Sequence, residues 1–108
     1  MSSAIVPYDT FTHDGVVYNL TVVRYMLRSQ PMFVLPINKL TWVLAFDTPD
    51  PERVRLSKHR YPLIVARDKK NRWTIVDGLH RLERYRQKGV KIVPVKLATP
   101  EILALAKV

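Results

Sequence analysis

The stretch that most constrains this chain is residues 61–97, YPLIVARDKKNRWTIVDGLHRLERYRQKGVKIVPVKL. Residues 61–67 and 73–76 are short runs rich in Val, Ile and aromatic side chains, bounded by turn residues. They predict two strands joined by the polar hairpin loop Asp68-Lys69-Lys70-Asn71. Residues 79–88 carry Leu79, Leu82 and Tyr85 at helical spacing, end in Lys88 and are followed by Gly89. That pattern predicts a helix with a basic last turn and a glycine just past its end. Residues 92–97 read as a third strand. A chain with this order must form a sheet with a helix crossing between two of its strands.

Between the second strand and the helix sits Asp77-Gly78-Leu79-His80-Arg81. Glycine has no side chain, so the backbone there can turn sharply or approach a ligand closely. The amides opening the helix lack intrahelical acceptors and carry partial positive charge, which suits an anion. His80 and Arg81 fall in that first turn, where basic groups oppose the helix dipole by roughly 0.3–1 kcal/mol. An anion seated on them would offset that cost, and an arginine beside free amides is a natural phosphate fork. The alternative is structural: Asp77 as an ordinary N-cap, Gly78 as a turn residue, and His80 and Arg81 solvated.

The motif order resembles the ParB/sulfiredoxin-like fold, which also includes ADP-dependent free serine kinases. The matching residues are Pro62-Leu63-Ile64-Val65, then Thr74-Ile75-Val76-Asp77-Gly78-Leu79-His80-Arg81, then Gly89 and Val93-Pro94-Val95. Lys96-Leu97-Ala98-Thr99-Pro100-Glu101-Ile102-Leu103 is similar to the closing strand and helix of sulfiredoxins. The resemblance covers about residues 35–108. It implies an α+β fold, a single small domain with helices packed against a mixed sheet, preceded over residues 1–34 by an N-terminal arm and an accessory helix.

The resemblance also implies a site. In the family this loop and helix N-terminus hold nucleotide phosphates, a role that falls by position to Gly78, the amide of Leu79, His80 and Arg81. Ser57 and Lys58 lie in the region of a second phosphate-facing helix. The ligand would be ATP, ADP or CTP, and Asp77 would either orient the loop or help hold Mg²⁺. Departures from the pattern narrow the chemistry. Sulfiredoxins carry a nucleophilic cysteine at the position of Leu79, and this chain has no cysteine, so sulfinic-acid repair is excluded. ParB proteins carry a different loop and a separate DNA-reading domain. The kinases need a glutamate base upstream, for which Glu52 is the nearest candidate along the chain.

Charge supplies a competing reading. The chain carries a net charge of +9, distributed unevenly. Residues 1–50 hold three basic and four acidic side chains, and residues 51–108 hold fifteen and five. A basic half is what a polyanion partner such as nucleic acid requires, although a solvated basic face would have the same composition. Arg81, Arg84 and Lys88 share one helix face by spacing, and Lys69 and Lys70 extend the basic set. Glu83 is placed to bridge to Arg86 or Gln87.

The remaining stretches read as scaffold. At 108 residues and 47% apolar composition, one domain can bury about 65% of its unfolded surface. Without cysteine there is no disulfide framework, and without an apolar run of about 20 residues or a signal peptide the expected setting is cytoplasmic, with no membrane partner. Residues 1–12 read as an irregular arm, Asp14-Gly15 as a turn, and Asn19 or Thr21 as the cap of a helix reaching Arg28. Residues 32–37 read as a strand, residues 39–46 as an apolar run with Trp42 and Phe46 in the core, and residues 51–58 as a helix capped by Asp50. Ser57-Lys58-His59-Arg60 reads equally well as a basic loop ending that helix. Thr99 and Pro100 open a final helix. The three histidines show no metal-ligand spacing.

Three function classes follow. The first is nucleotide-phosphate binding at the Asp77–Arg81 loop, with or without phosphoryl transfer, in which Arg81 faces ligand. The second is nucleic-acid (DNA) binding on the basic surface of residues 53–91. The third is a phage-type protein-interaction module, since small stand-alone members of the fold occur in phage genomes.

Overall fold

Asp14 and Gly15 both take positive φ, 51° and 78°, and this closes strand β1 (Thr10–His13) onto strand β2 (Val16–Asn19) as a two-residue hairpin. The computed structural model describes residues 9–58 and 61–108. The expected arm thus lies outside the described residues as far as residue 8, and residues 10–12 of it are in β1. Asn19 caps helix α1 (Leu20–Leu27) by accepting a hydrogen bond from the Val22 amide at 3.1 Å.

Strand β3 (Phe33–Pro36) leads into two short 3₁₀ turns, Ile37–Lys39 and Thr41–Ala45. Helix α2 (Pro51–Leu56) follows, capped by Asp50 with Pro51 in its first turn. It stops at Leu56, so Ser57 and Lys58 are in the segment after it. Strands β4 (Leu63–Arg67) and β5 (Trp73–Asp77) form the expected hairpin, turned through Asn71 at φ 60°. Helix α3 (Leu79–Gln87), strand β6 (Ile92–Leu97) and helix α4 (Pro100–Ala106) complete the order, with Thr99 capping α4.

The sheet is mixed, in the order β3-β6-β4-β5. β4 pairs parallel with β6 and antiparallel with β5, and β6 pairs antiparallel with β3. The fold is therefore α+β with helices on a mixed sheet. Alternation along β4 explains how both faces of the sheet come to be covered. Leu63 and Val65 point to one face, where they pack with Val93, Val95, Leu82, Tyr85 and Leu40. Ile64 and Ala66 point to the other, where Leu20, Val23 and Leu27 of α1 and Ile102, Leu103 and Ala106 of α4 meet them.

α1 is thus half the cover of one sheet face, and β3 begins before residue 35, so residues 1–34 and 35–108 share one core where they are described. Phe46, expected in the core, is 82% exposed, because the 3₁₀ turn ends there and its ring swings outward. Trp42 is half-buried and donates from Nε1 to the Trp73 carbonyl at 2.8 Å. β3 is an edge strand whose Val34, with Met32 and Ile92 beside it, remains exposed.

If α1 is a core element, Leu27→Ala should cost about 2–5 kcal/mol in urea denaturation, the range for a buried leucine truncation. A loss below ~1 kcal/mol would return α1 to the status of an accessory helix.

Candidate functional site

Gly78 has φ 112°, a conformation that side-chain-bearing residues rarely adopt. A Cβ at this position would lie 2.7 Å from Leu63 Cδ2 and 3.1 Å from Arg81 Nη2. Gly78 is itself the N-cap of α3, so no side chain caps that helix. The first helical bond runs from the Leu82 amide to the Gly78 carbonyl at 2.8 Å. The amides of Leu79, His80 and Arg81 precede it and have no intrahelical acceptor.

Asp77 does not cap the helix. Its Oδ2 accepts from Arg24 Nε at 3.1 Å and from Arg81 Nη2 at 3.3 Å. Arg24 also donates to Asp9 at 3.0 Å. The hydrogen bond to Asp77 is the chief reason that the Arg24 guanidinium is held above its ordinary range. Asp77 is therefore the common acceptor of two arginines from separate elements.

Arg81 differs from the ligand-facing fork expected of it. Its Nη1 donates to the carbonyls of Tyr61 at 3.1 Å and Pro62 at 2.9 Å, and its side chain is only 15% exposed. The guanidinium ties the approach to β4 onto the start of α3. Arg84 is likewise turned inward, donating from Nη1 to the carbonyls of Val54 and Arg55 at the end of α2. Both carbonyls lie at the negative end of the α2 dipole, which favours a cation; the Val54 carbonyl also accepts from the Ser57 amide at 3.2 Å, and Arg84 Nε is buried without a partner among the described residues. Arg84 is thus not part of an outward basic face. Lys88 is exposed at the far end of α3, and Lys69 and Lys70 are exposed at the tip of the β4–β5 hairpin, the end opposite Gly78.

Two contiguous cavities open on the loop. The smaller, about 380 Å³, is lined by Arg53, Ser57, Lys58, Gly78, His80 and Arg81, among others. The larger, about 730 Å³, shares Arg53, Asp77, Gly78 and His80 and adds Trp42, Phe46, Asp47 and Asp50. Both volumes lie in the usual range for small-ligand sites. Ser57 and Lys58 are therefore brought to the loop as expected from order along the chain, although the Ser57 hydroxyl already donates to the Val54 carbonyl at 2.9 Å. His59 and Arg60 lie outside the described residues. Glu52 lines neither cavity; its carboxylate takes a bidentate pair from Arg55 on the same helix. Glu83 does the same with Arg86 and also accepts from Gln87.

Sequence reasoning passed over Arg53 and Arg24. Arg53 lines both cavities, and neither it nor Lys58 has an ion pair among the described residues. Its nearest signal was the Asp50-Pro51 start, which fixes the phase of α2. Burial, and then the Arg53 charge, push the His80 imidazolium below its ordinary value, against the weaker pull of Asp50 and Asp47. Phe46 stands edge-on to Trp42, ring centroids 5.9 Å apart, and supplies an apolar wall facing the same space.

Mg²⁺ takes hard oxygen ligands, and of the Asp77 carboxylate, the ligand expected for it, Oδ2 is occupied by two guanidinium donors. Among the described residues no group of three His, Cys, Asp or Glu side chains could hold a metal ion.

Two solved structures are similar to this chain. One is SbnI with C-terminal truncation from Staphylococcus aureus, at 26% identity over 61% of this chain and TM-score 0.49. The chain spans 30% of that structure's length. The other is sulfiredoxin from Arabidopsis thaliana, at 19% identity over 69% of this chain and 94% of that one, also with TM-score 0.49. Both likenesses are partial. Neither a family model nor a curated protein matches the sequence. No helix among the described residues is long and apolar enough to cross a membrane.

Two outcomes follow. Arg81→Ala should lower stability by about 1–3 kcal/mol, since it leaves two carbonyls without their side-chain donor and Asp77 with Arg24 alone. A chemical melt unchanged from wild type would restore Arg81 to a purely ligand-facing role. His80 titrates lower when folded than unfolded, so the unfolded chain takes up the proton first. Its contribution to stability is present above about pH 6.5 and is lost as pH falls below that value. An NMR titration of the His80 ring should give a midpoint below the ordinary histidine value, and Arg53→Gln should raise it.

Proposed function

We propose that this chain is a nucleotide-phosphate-binding domain, with the phosphates in the groove between the end of α2 and the start of α3. The observation that carries the reading is the convergence on one cavity of the uncapped α3 amides with Arg53 and Lys58, two cations that have no ion pair among the described residues. Helix amides and unpaired cations are the two components of a phosphate cradle. Gly78 lets the ligand reach the backbone. An anion bound beside His80 would oppose the Arg53 charge, which after burial is the second cause of its lowered pKa, and so would favour its protonation. Phe46 and Trp42 offer a stacking wall for the base of ATP, ADP or CTP.

The reading is one of binding. Phosphoryl transfer needs positioned charge, a metal and usually a base. The residues expected to supply the last two, Asp77 and Glu52, are both held by arginines. Arg81 and Asp77 serve the site by fixing the loop.

The test is an amide NMR titration of the whole chain with ATP, ADP, CTP and pyrophosphate, and separately with a short DNA duplex. Saturable shifts confined to residues 53–58 and 78–82 with a nucleotide are the expected result. Arg53→Gln should weaken that binding about tenfold or more, the worth of one charged hydrogen bond of roughly 1.5–3 kcal/mol. Silence toward every nucleotide, with broad shifts along Lys69, Lys70 and Lys88 on adding DNA, would replace this reading with nucleic-acid binding.

A further inference from the structure

On the α1 face of the sheet, beside the Asp77–Arg81 pair, lies a third cavity of about 390 Å³. Its walls bring together Arg24, Arg28, Arg81 and Lys96, with Asp77 as the only carboxylate. Leu27, Pro62 and Ile64 form its apolar surface, and Leu27 and Ile64 are core residues. Four cations against one anion around so small a space repel one another, and an anionic occupant would relieve that repulsion.

The cations are held in place without being used up. Lys96 Nζ donates to the Leu27 carbonyl at 2.9 Å and the Arg28 carbonyl at 3.4 Å, which pins it at the C-terminal end of α1. An ammonium has three protons, so one remains. Arg28 donates from Nη1 to the Tyr25 carbonyl at 2.7 Å and stacks on the Tyr25 ring, leaving Nε and Nη2. Arg24 spends Nε and Nη1 on Asp77 and Asp9 and keeps Nη2.

We propose that this cavity binds a small monocarboxylate with a compact apolar body. The carboxylate would take the spare donors of Arg24, Arg28 and Lys96 as charge-assisted hydrogen bonds, with the planar Arg28 guanidinium matching its geometry. The apolar body would rest on Leu27, Pro62 and Ile64. A doubly charged phosphate suits the cavity less, because it brings more charge beside Asp77 and leaves the apolar wall uncovered. The site stands independently of the nucleotide groove but shares a wall with it. A ligand that draws on Arg24 alters the Arg24–Asp77–Arg81 chain, so the cavity and the loop are linked, and the linkage must run equally in both directions.

The test is an amide NMR titration of the whole chain with benzoate, with benzyl alcohol as the neutral counterpart and inorganic phosphate as the competing anion. Saturable shifts at Leu27, Arg28, Ile64 and Lys96 with benzoate, absent with benzyl alcohol and weaker with phosphate, are expected. Lys96→Met keeps the aliphatic stem and should weaken benzoate at least tenfold. Arg28→Gln, at an exposed position, repeats the test should Lys96→Met fail to fold. No saturable response to benzoate, an equal response to phosphate, or affinity unchanged in Arg28→Gln would each overturn the proposal.

Discussion

The Arg81 guanidinium ties together three pieces of chain at the head of α3. It reaches from the first turn of α3 to the carbonyls of Tyr61 and Pro62, where the chain approaches β4, and to Asp77, where β5 ends. Since β4 and β5 are neighbours in the sheet, this one side chain fixes the angle at which α3 leaves it. Arg24 repeats the device from the other face, so Asp77 is clamped between a helix in front of the sheet and one behind it. The charges that looked like ligand groups are, in large part, the fasteners that hold the loop open. The proposed anion binding therefore rests on what the fasteners leave over: backbone amides, Arg53 and Lys58.

The division between legible and illegible features follows the range of the interactions. Strand and helix positions in the second half of the chain were visible because they rest on local periodicity and on turn residues. β6 runs over the expected residues, and Asn71 and Gly78 sit at the turns. Asp50 and Thr99 cap helices because an N-cap contact spans only two or three residues. The partnership of Arg24 with Asp77 crosses 53 residues, and that of Arg84 with the end of α2 crosses about thirty, and no local pattern encodes either. Helical spacing put Arg84 on a face with Lys88; tertiary packing then decided which of the two met solvent.

The same limit applies to Phe46. An apolar run predicts burial on average, but a 3₁₀ turn lines up side chains three apart, so only one row of the run faces inward, and only for as long as the turn lasts. Leu40 and Val43 take the inward positions, three apart, and Phe46 would be the next in that row had the turn not ended. Its exposure is a product of where the element stops, and stops are set by the backbone hydrogen bonds of its neighbours. α1 is legible as a helix capped by Asn19 but reads as an accessory one, because nothing in its own sequence says which sheet face it covers. Its Leu20, Val23 and Leu27 match a helical stripe, and only the pairing of β4 with β6 and β5 reveals the apolar surface awaiting it.

Gly78 carries two penalties against replacement that are separable in kind. One is steric and belongs to Leu63 and Arg81; trimming Leu63 would remove part of it. The other is the backbone torsion itself, which no change in a neighbour can relieve. Sequence drift can therefore wander widely around this junction but meets a one-way door at it. Loss of the glycine takes a single step, whereas compensation demands a different backbone path out of β5, and with it a different seat for Arg81.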